Sequence, residues 1–356
     1  MHYGGLVYVG DGTGGLRVID RDPEAISCEG KYLDTPGVSA ELGWYEGIVL
    51  TADYSGLRMV NSATMVELWH LASPAVPEKV NVAGGIAYLA DPWQGLRIVD
   101  VADPAAAVLL GAFDTPGTAN DVAVAGEIAY IAAGTQGLHI ANVADPSLPV
   151  GITSVPANDA LAVAVDGDTA YLADGANGLM GIQFTPEFTP TVTVSLDTPG
   201  YARDIAVQGD YAYLAADDNG LIIIDRSSLG DMAVVTGMDS LDRSMALTLA
   251  GNLLYLADGA AGLRIIDISD PESPFELAAL PLSGQAVDVA VSGDLAFVAM
   301  QDKGVSVIHI GNPAYPLEIA FIDTPGAARG VAVDDSAIYV ADTQGGLYIY
   351  SLPPAV

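Results

Sequence analysis

The sequence predicts an all-β β-propeller, and three observations predict it. A unit of about 42 residues recurs along nearly the whole chain. Runs of four to seven residues rich in Val, Ile, Leu and Tyr alternate with Gly, Asp and Pro. No window carries a convincing 3.6-residue apolar period, so almost no helix is expected.

The unit reads aromatic–aliphatic–small–Asp, a short linker, then Gly-Leu-x-aliphatic-aliphatic-Asp/Asn. Tyr88-Leu89-Ala90-Asp91 followed by Gly95–Asp100 is one copy, and Tyr255–Asp258 followed by Gly262–Asp267 is another. The glycine of the Gly-Leu step falls at Gly15, Gly56, Gly95, Gly137, Gly178, Gly220, Gly262, Gly304 and Gly346, with gaps of 39 to 42. Nine copies leave no room for a second domain, so residues 1–356 are read as one propeller.

Each unit supplies four short strands, a to d. Glycine at the Gly-Leu step can take positive φ where strand c opens. Asp-Pro at Asp22, Asp103, Asp145 and Asp270 ends the third strand, because proline has no donor for a ladder. Asp-Thr-Pro-Gly at Asp34–Gly37, Asp114–Gly117, Asp197–Gly200 and Asp323–Gly326 fits a type II turn. A four-stranded sheet of this kind has two apolar faces, and a ring of sheets covers both. The shared slot in strand b holds Tyr8, Leu50, Tyr88, Tyr130, Tyr171, Tyr213, Tyr255, Phe297 and Tyr339, which are expected to form inter-blade core.

Counting gives 34 strands: b, c and d in residues 1–34, seven complete units, then a, b and c in residues 327–352. Nine blades are favoured, with eight as the alternative. The chain is expected to be part of a longer protein, with an upstream d strand completing the last blade.

Gly262–Pro271 (GLRIIDISDP) and Gly95–Pro104 (GLRIVDVADP) resemble the LVIVD repeat of bacterial and archaeal surface proteins. The resemblance covers nearly the whole chain. It implies a propeller, often secreted or surface-attached, and carries over no catalytic residue. The fifth copy departs at Gly178–Ile182, the eighth at Gly304–His309, and the second around Glu41–Gly47.

Charge narrows the partners. Forty-five Asp and Glu against twelve Lys and Arg leave a net charge of −33. Such a chain repels phosphate backbones and anionic lipid, so nucleic acid is set aside. Lysine occurs only at Lys31, Lys79 and Lys303. This composition suits an extracellular protein, and also a high-salt source. A lone Cys28 forms no internal disulfide. No apolar run is long enough for a transmembrane helix, and Met1–Asp11 lacks a signal-peptide pattern.

No cofactor is expected. Asp11, Asp53, Asp91, Asp174, Asp258 and Asp342 follow strand b and could together bind Ca²⁺, but an Asp there also bonds its own turn, and the turn reading is favoured. His2, His70, His139 and His309 have no ligand spacing. A ligand is instead expected at the mouth of the central channel, where inner strands begin: Glu78, Lys79, Asn120, Asp121, Arg203, Asp204, Arg243, Ser244, Asp288 and Arg329. They vary from blade to blade on a repeated frame. Trp93, on a hairpin loop, is a further candidate contact. The expected function is a non-catalytic binding or scaffold module of a secreted or cell-surface protein, presenting loops to a protein or glycan partner. The alternative is a metal-dependent hydrolase or lyase with its site at the channel mouth.

Overall fold

In the computed structural model, residues 77–352 are described apart from 302, 344 and 345; before residue 77, only strand backbones are described. Among the described residues every regular element is a strand. Seven inner strands stand side by side in chain order: Lys79–Ala83, Asp121–Ala125, Ala162–Asp166, Asp204–Gln208, Ala246–Ala250, Ala286–Ser292 and Ala328–Val333. Each touches the next, and the seventh touches the first, so the ring is closed. We number the blades 1 to 7 in this order.

Blades 1 to 6 each take four consecutive antiparallel strands. Blade 2, for example, runs Asp121–Ala125, Ile128–Ala132, Leu138–Asn142 and Val150–Val155. Blade 7 has three strands from the C-terminal unit, and its outermost strand is Glu67–Leu71. That strand pairs with Gly346–Ser351, placing Leu71 opposite Leu347 and His70 opposite Tyr348.

This closure corrects the expected blade number. The ring has seven blades, not nine or eight. The fourth strand of the second sequence unit leaves its own repeat and completes blade 7. The strand expected upstream of Met1 is therefore replaced by one from within the chain. The remaining strands form two further sheets. One has four strands between His2 and Leu33, including a short first strand, His2–Tyr3, that brings the total among the described residues to 35. The other has three: Ser39–Tyr45, Ile48–Asp53 and Gly56–Asn61. A repeat count records how many hairpins exist. It does not record the angle between neighbouring blades, which decides how many complete a circle.

The aromatic slot behaves as expected. Tyr88, Tyr130, Tyr171, Tyr213, Tyr255, Phe297 and Tyr339 are all buried. Tyr171 of blade 3, for instance, packs in one cluster with Ile205, Leu214 and Ile222 of blade 4. Tyr8 and Leu50 lie outside the described side chains.

The Gly-Leu glycine has two duties. It holds positive φ in every ring blade, for example +82° at Gly137 and +73° at Gly220. It also lets the end of the outermost strand come close. A β-carbon on Gly220 would lie 2.0 Å from the carbonyl oxygen of Met238, and one on Gly137 would lie 2.1 Å from that of Val155. Neither backbone oxygen can step aside without breaking the c–d ladder.

Two outcomes are expected. Gly220→Ala should destabilise the protein by ~2–4 kcal/mol in denaturant melts, from left-handed strain plus the carbonyl clash. A chain starting at Glu67 should keep a cooperative thermal transition. One starting at Ala72 should melt several degrees lower, because the third strand of blade 7 is left without its partner.

Candidate functional site

The mouth of the channel is the end of the ring where the inner strands begin. One register position defines its floor. It lies opposite an alanine of strand b in every blade: Ala90, Ala132, Ala173, Ala215, Ala257, Ala299 and Ala341. Around the ring the floor reads Lys79, Asp121, Ala162, Asp204, Ala246, Asp288, Gly330.

The alternation of acid and small residue has a geometric cause. Each aspartate reaches across a blade boundary. The amide of Val163 donates to Asp121 Oδ2 at 2.9 Å, that of Leu247 to Asp204 Oδ2 at 3.0 Å, and that of Val331 to Asp288 Oδ2 at 2.8 Å. The acceptor blades carry Ala162, Ala246 and Gly330 at that level, so nothing blocks the reach. Blades 2 and 3, 4 and 5, and 6 and 7 are thereby clamped in pairs. At the last boundary the chains approach closely: a β-carbon on Gly330 would lie 2.7 Å from the carbonyl oxygen of Glu78.

Blade 1 contributes the counter-charge. Lys79 Nζ donates to Asp288 Oδ1 at 2.5 Å and stands 3.7 Å from Asp204 Oδ2. Burial works against the ammonium, but the carboxylates of Asp204 and Asp288 hold Lys79 protonated well above the usual lysine range. Asp121 takes part in no ion pair closer than 4 Å among the described residues. Burial pushes its pKa up to about 6, against the pull of Lys79. Burial also raises that of Asp204.

One residue further towards the mouth, the blades differ in kind. Asn120 Nδ2 donates to the carbonyl of Ala160 at 2.9 Å. Arg329 and Glu78 form a loose pair at 3.8 Å, and burial raises the Glu78 carboxyl. Arg203 Nη2 donates to Asp217 Oδ2 at 2.6 Å, while Arg243 Nε donates to Asp217 Oδ1 at 2.7 Å. Burial would raise Asp217, but the bonds from Arg243 and Arg203 hold it below the usual carboxylate range. Arg203 also lies over the Tyr201 ring, whose hydroxyl donates to Asp159.

The structure brings Lys79, Asp121, Asp204 and Asp288 together on the channel floor, and Arg203 and Arg243 to one rim. Ser244 lies at the same rim, where its backbone bridges to Asp217, but its side chain is buried and its hydroxyl donates to Asp258 Oδ1 at 3.0 Å. Asp217, Tyr201 and Asp159 were missed. A signal for Asp217 existed. In three other blades the same slot holds Gly134, Gly175 or Gly259, at positive φ, where the backbone bridges to the next blade. Asp217 keeps that conformation at φ +52°, and its backbone bridges to Ser244. An aspartate where the repeat provides glycine marks a side chain with a task.

The carboxylates after strand b hold loops. Asp174 Oδ1 accepts from the amides of Asn158 and Asp159, Asp258 Oδ2 from that of Leu241, and Asp342 Oδ2 from that of Gly326. Asp91 Oδ1 accepts from Trp93 and Gln94 in its own turn. Asp11 and Asp53, like His2 and His70, lie outside the described side chains. Among the described residues, no three acidic, His or Cys side chains are grouped to hold a metal ion. Trp93 is 82% exposed on a mouth-side loop, and Leu241 is exposed on another.

The LVIVD repeat matches residues 2–21, 77–115, 116–156, 157–182, 199–239, 243–279, 283–324 and 325–350. The chain belongs to the LVIVD-repeat family. No curated protein matches it. Among solved structures it is similar in fold to the RRP9 WD40 repeats, with 10% identity and a TM-score of 0.68 over 82% of this chain and 98% of that one. It is likewise similar to the Neurospora crassa Pan2 WD40 domain, with 13% identity and a TM-score of 0.67 over 84% and 98%. The computationally designed Ika8 protein aligns with 11% identity and a TM-score of 0.59 over 87% and 95%. At these identities the likeness concerns the fold alone. The unmatched stretch 22–76 of this LVIVD-repeat chain contains the strand that closes blade 7.

Lys79→Met should leave three axial carboxylates without their cation. The expected loss is ~3 kcal/mol at pH 7.5, read from denaturant melts, because the surviving charges stay largely desolvated. A change below 0.5 kcal/mol would show that solvent already screens them.

Proposed function

We propose that this propeller is a non-catalytic binding or scaffold module that presents its mouth-side loops to a protein or glycan partner outside the cell. One observation carries the reading. The frame of each blade is the same, while side chains at the mouth differ from blade to blade. Function on a repeated scaffold is placed where the repeats diverge. The WD40 folds to which the chain is similar are consistent with a scaffold role.

The axial carboxylates favour binding over metal-dependent hydrolysis or elimination. Asp121, Asp204 and Asp288 each accept from a backbone amide, and Lys79 already stands between two of them. Exposed Trp93 and Leu241 offer apolar contact on the same side. The net charge of −33 and the near absence of lysine suit an extracellular setting and a partner with a basic face.

The test compares immobilised wild-type protein with two variants, using extract of the source cells and a panel of soluble glycans. Trp93→Ala with Leu241→Asp alters the mouth side, and Leu148→Ser with Tyr315→Ser alters loops at the other end. A species retained by wild type should be lost by the first variant, at least tenfold, and kept by the second. Loss with the second variant alone would place the binding face at the wrong end of the ring.

A further inference from the structure

We propose that Glu67–Leu71 is a strand with two homes: it closes blade 7, and it also fits the open edge of the second sequence unit, so the ring opens and shuts by exchange of this one strand. The inference stands apart from the binding reading.

The open edge is the first observation. Each ring blade has four strands, whereas the sheet of Ser39–Tyr45, Ile48–Asp53 and Gly56–Asn61 has three among the described residues. Its missing member is the strand lent to blade 7, which leaves Gly56–Asn61 as an edge strand. That edge is close by. Gly56–Asn61 touches Leu317–Ile322, the outermost strand of blade 6, and blade 6 neighbours blade 7. The linker also permits a return. Asn61 and Glu67 are separated by five residues, as are Phe184 and Pro190, which end strand c and begin strand d of blade 3.

Register supplies the second observation. In the ring blades the c–d ladder is bulged after its third pair, and the next residue on strand d occupies a fixed slot. In blade 5 that residue is Glu276, and Arg264 Nε donates to its Oε2 at 2.5 Å. In blade 6 it is Glu318, and Ser306 Oγ donates to its Oε1 at 2.7 Å. In blade 7 it is Glu67, and Tyr348 stands at the register position of Arg264. In the strand's own repeat that position is Arg58, since Gly56-Leu57-Arg58 matches Gly262-Leu263-Arg264.

The match extends along the chain. Glu67 stands four residues before Leu71, as Glu276 stands four before Leu280. The first unit repeats the combination, with Arg17 on strand c and Glu29 four residues before Leu33. Blade 1 departs from it, with Arg97 on strand c and Leu109 in the glutamate slot. Glu67–Leu71 is therefore matched in charge to the repeat it left and serves in a blade that lacks the arginine. Both pairings use the same backbone edge of the strand, so only one forms at a time.

Amide hydrogen exchange on the full chain tests this, under conditions where exchange reports equilibrium opening. The readout is protection of 346–351 relative to 263–267, whose fourth strand follows it in sequence. Arg58→Glu sets two carboxylates against each other in the home pairing and leaves blade 7 unaltered. Relative protection of 346–351 should then rise about three- to tenfold, the size of one ion pair turned to repulsion. Arg58→Gln should raise it by a smaller factor. Arg17→Glu, the same change one unit earlier, should leave it at the wild-type value. An unchanged ratio in Arg58→Glu, or an equal rise in Arg17→Glu, overturns the proposal. Should Arg58→Glu fail to fold, Arg58→Gln decides, and a ratio equal to wild type refutes the exchange. A ratio that varies with protein concentration would assign the strand to a second copy and overturn the intramolecular device.

Discussion

The structure depends on one constraint: every blade has two apolar faces, and each needs a neighbour. Four short strands bury little by themselves. In the ring, strand b is almost wholly enclosed, as in Ile128–Ala132 and Ala337–Asp342. Such an arrangement tolerates no gap, since a single missing strand exposes the flank of two blades. Closure by Glu67–Leu71 answers this directly. It ties an N-terminal strand to the C-terminal sheet, so the two ends of the ring's sequence meet in one ladder.

Hydrophobic cover leaves the axis unsolved. Inner strands converge there, and side chains larger than alanine compete for little space. Alternating acid with Ala or Gly converts the crowding into three cross-blade hydrogen bonds. The cost is a concentration of negative charge, offset in part by Lys79. The channel floor is therefore polar for a structural reason, and the variable collar above it is where recognition can be added without disturbing closure.

Much of this was legible in the sequence. The recurring Gly-Leu step and the aromatic slot describe local geometry, and in the ring blades each sits where local geometry requires. The starts of the inner strands were located correctly, which is why Lys79, Asp121, Asp204 and Asp288 could be singled out. Their mutual contacts were not legible: Lys79 and Asp288 are 209 residues apart, and only ring closure brings them together. The blade number was hidden for the same reason, because the strand that closes the ring looks locally like the fourth strand of its own repeat. The burial of the Ser244 hydroxyl was not legible either, because periodicity gives a position along a strand, whereas neighbouring Asp258 decides which way the hydroxyl turns.

Closure through Glu67–Leu71 is the claim to test most directly. Leu71→Cys with Leu347→Cys, in a Cys28→Ser background, places two thiols at directly opposed positions of the blade 7 ladder. On mild oxidation the account predicts an intramolecular disulfide in nearly all molecules and a thermal midpoint raised relative to the reduced form. Free thiols after oxidation, or cross-links only between molecules, would contradict a seven-blade ring closed by this strand.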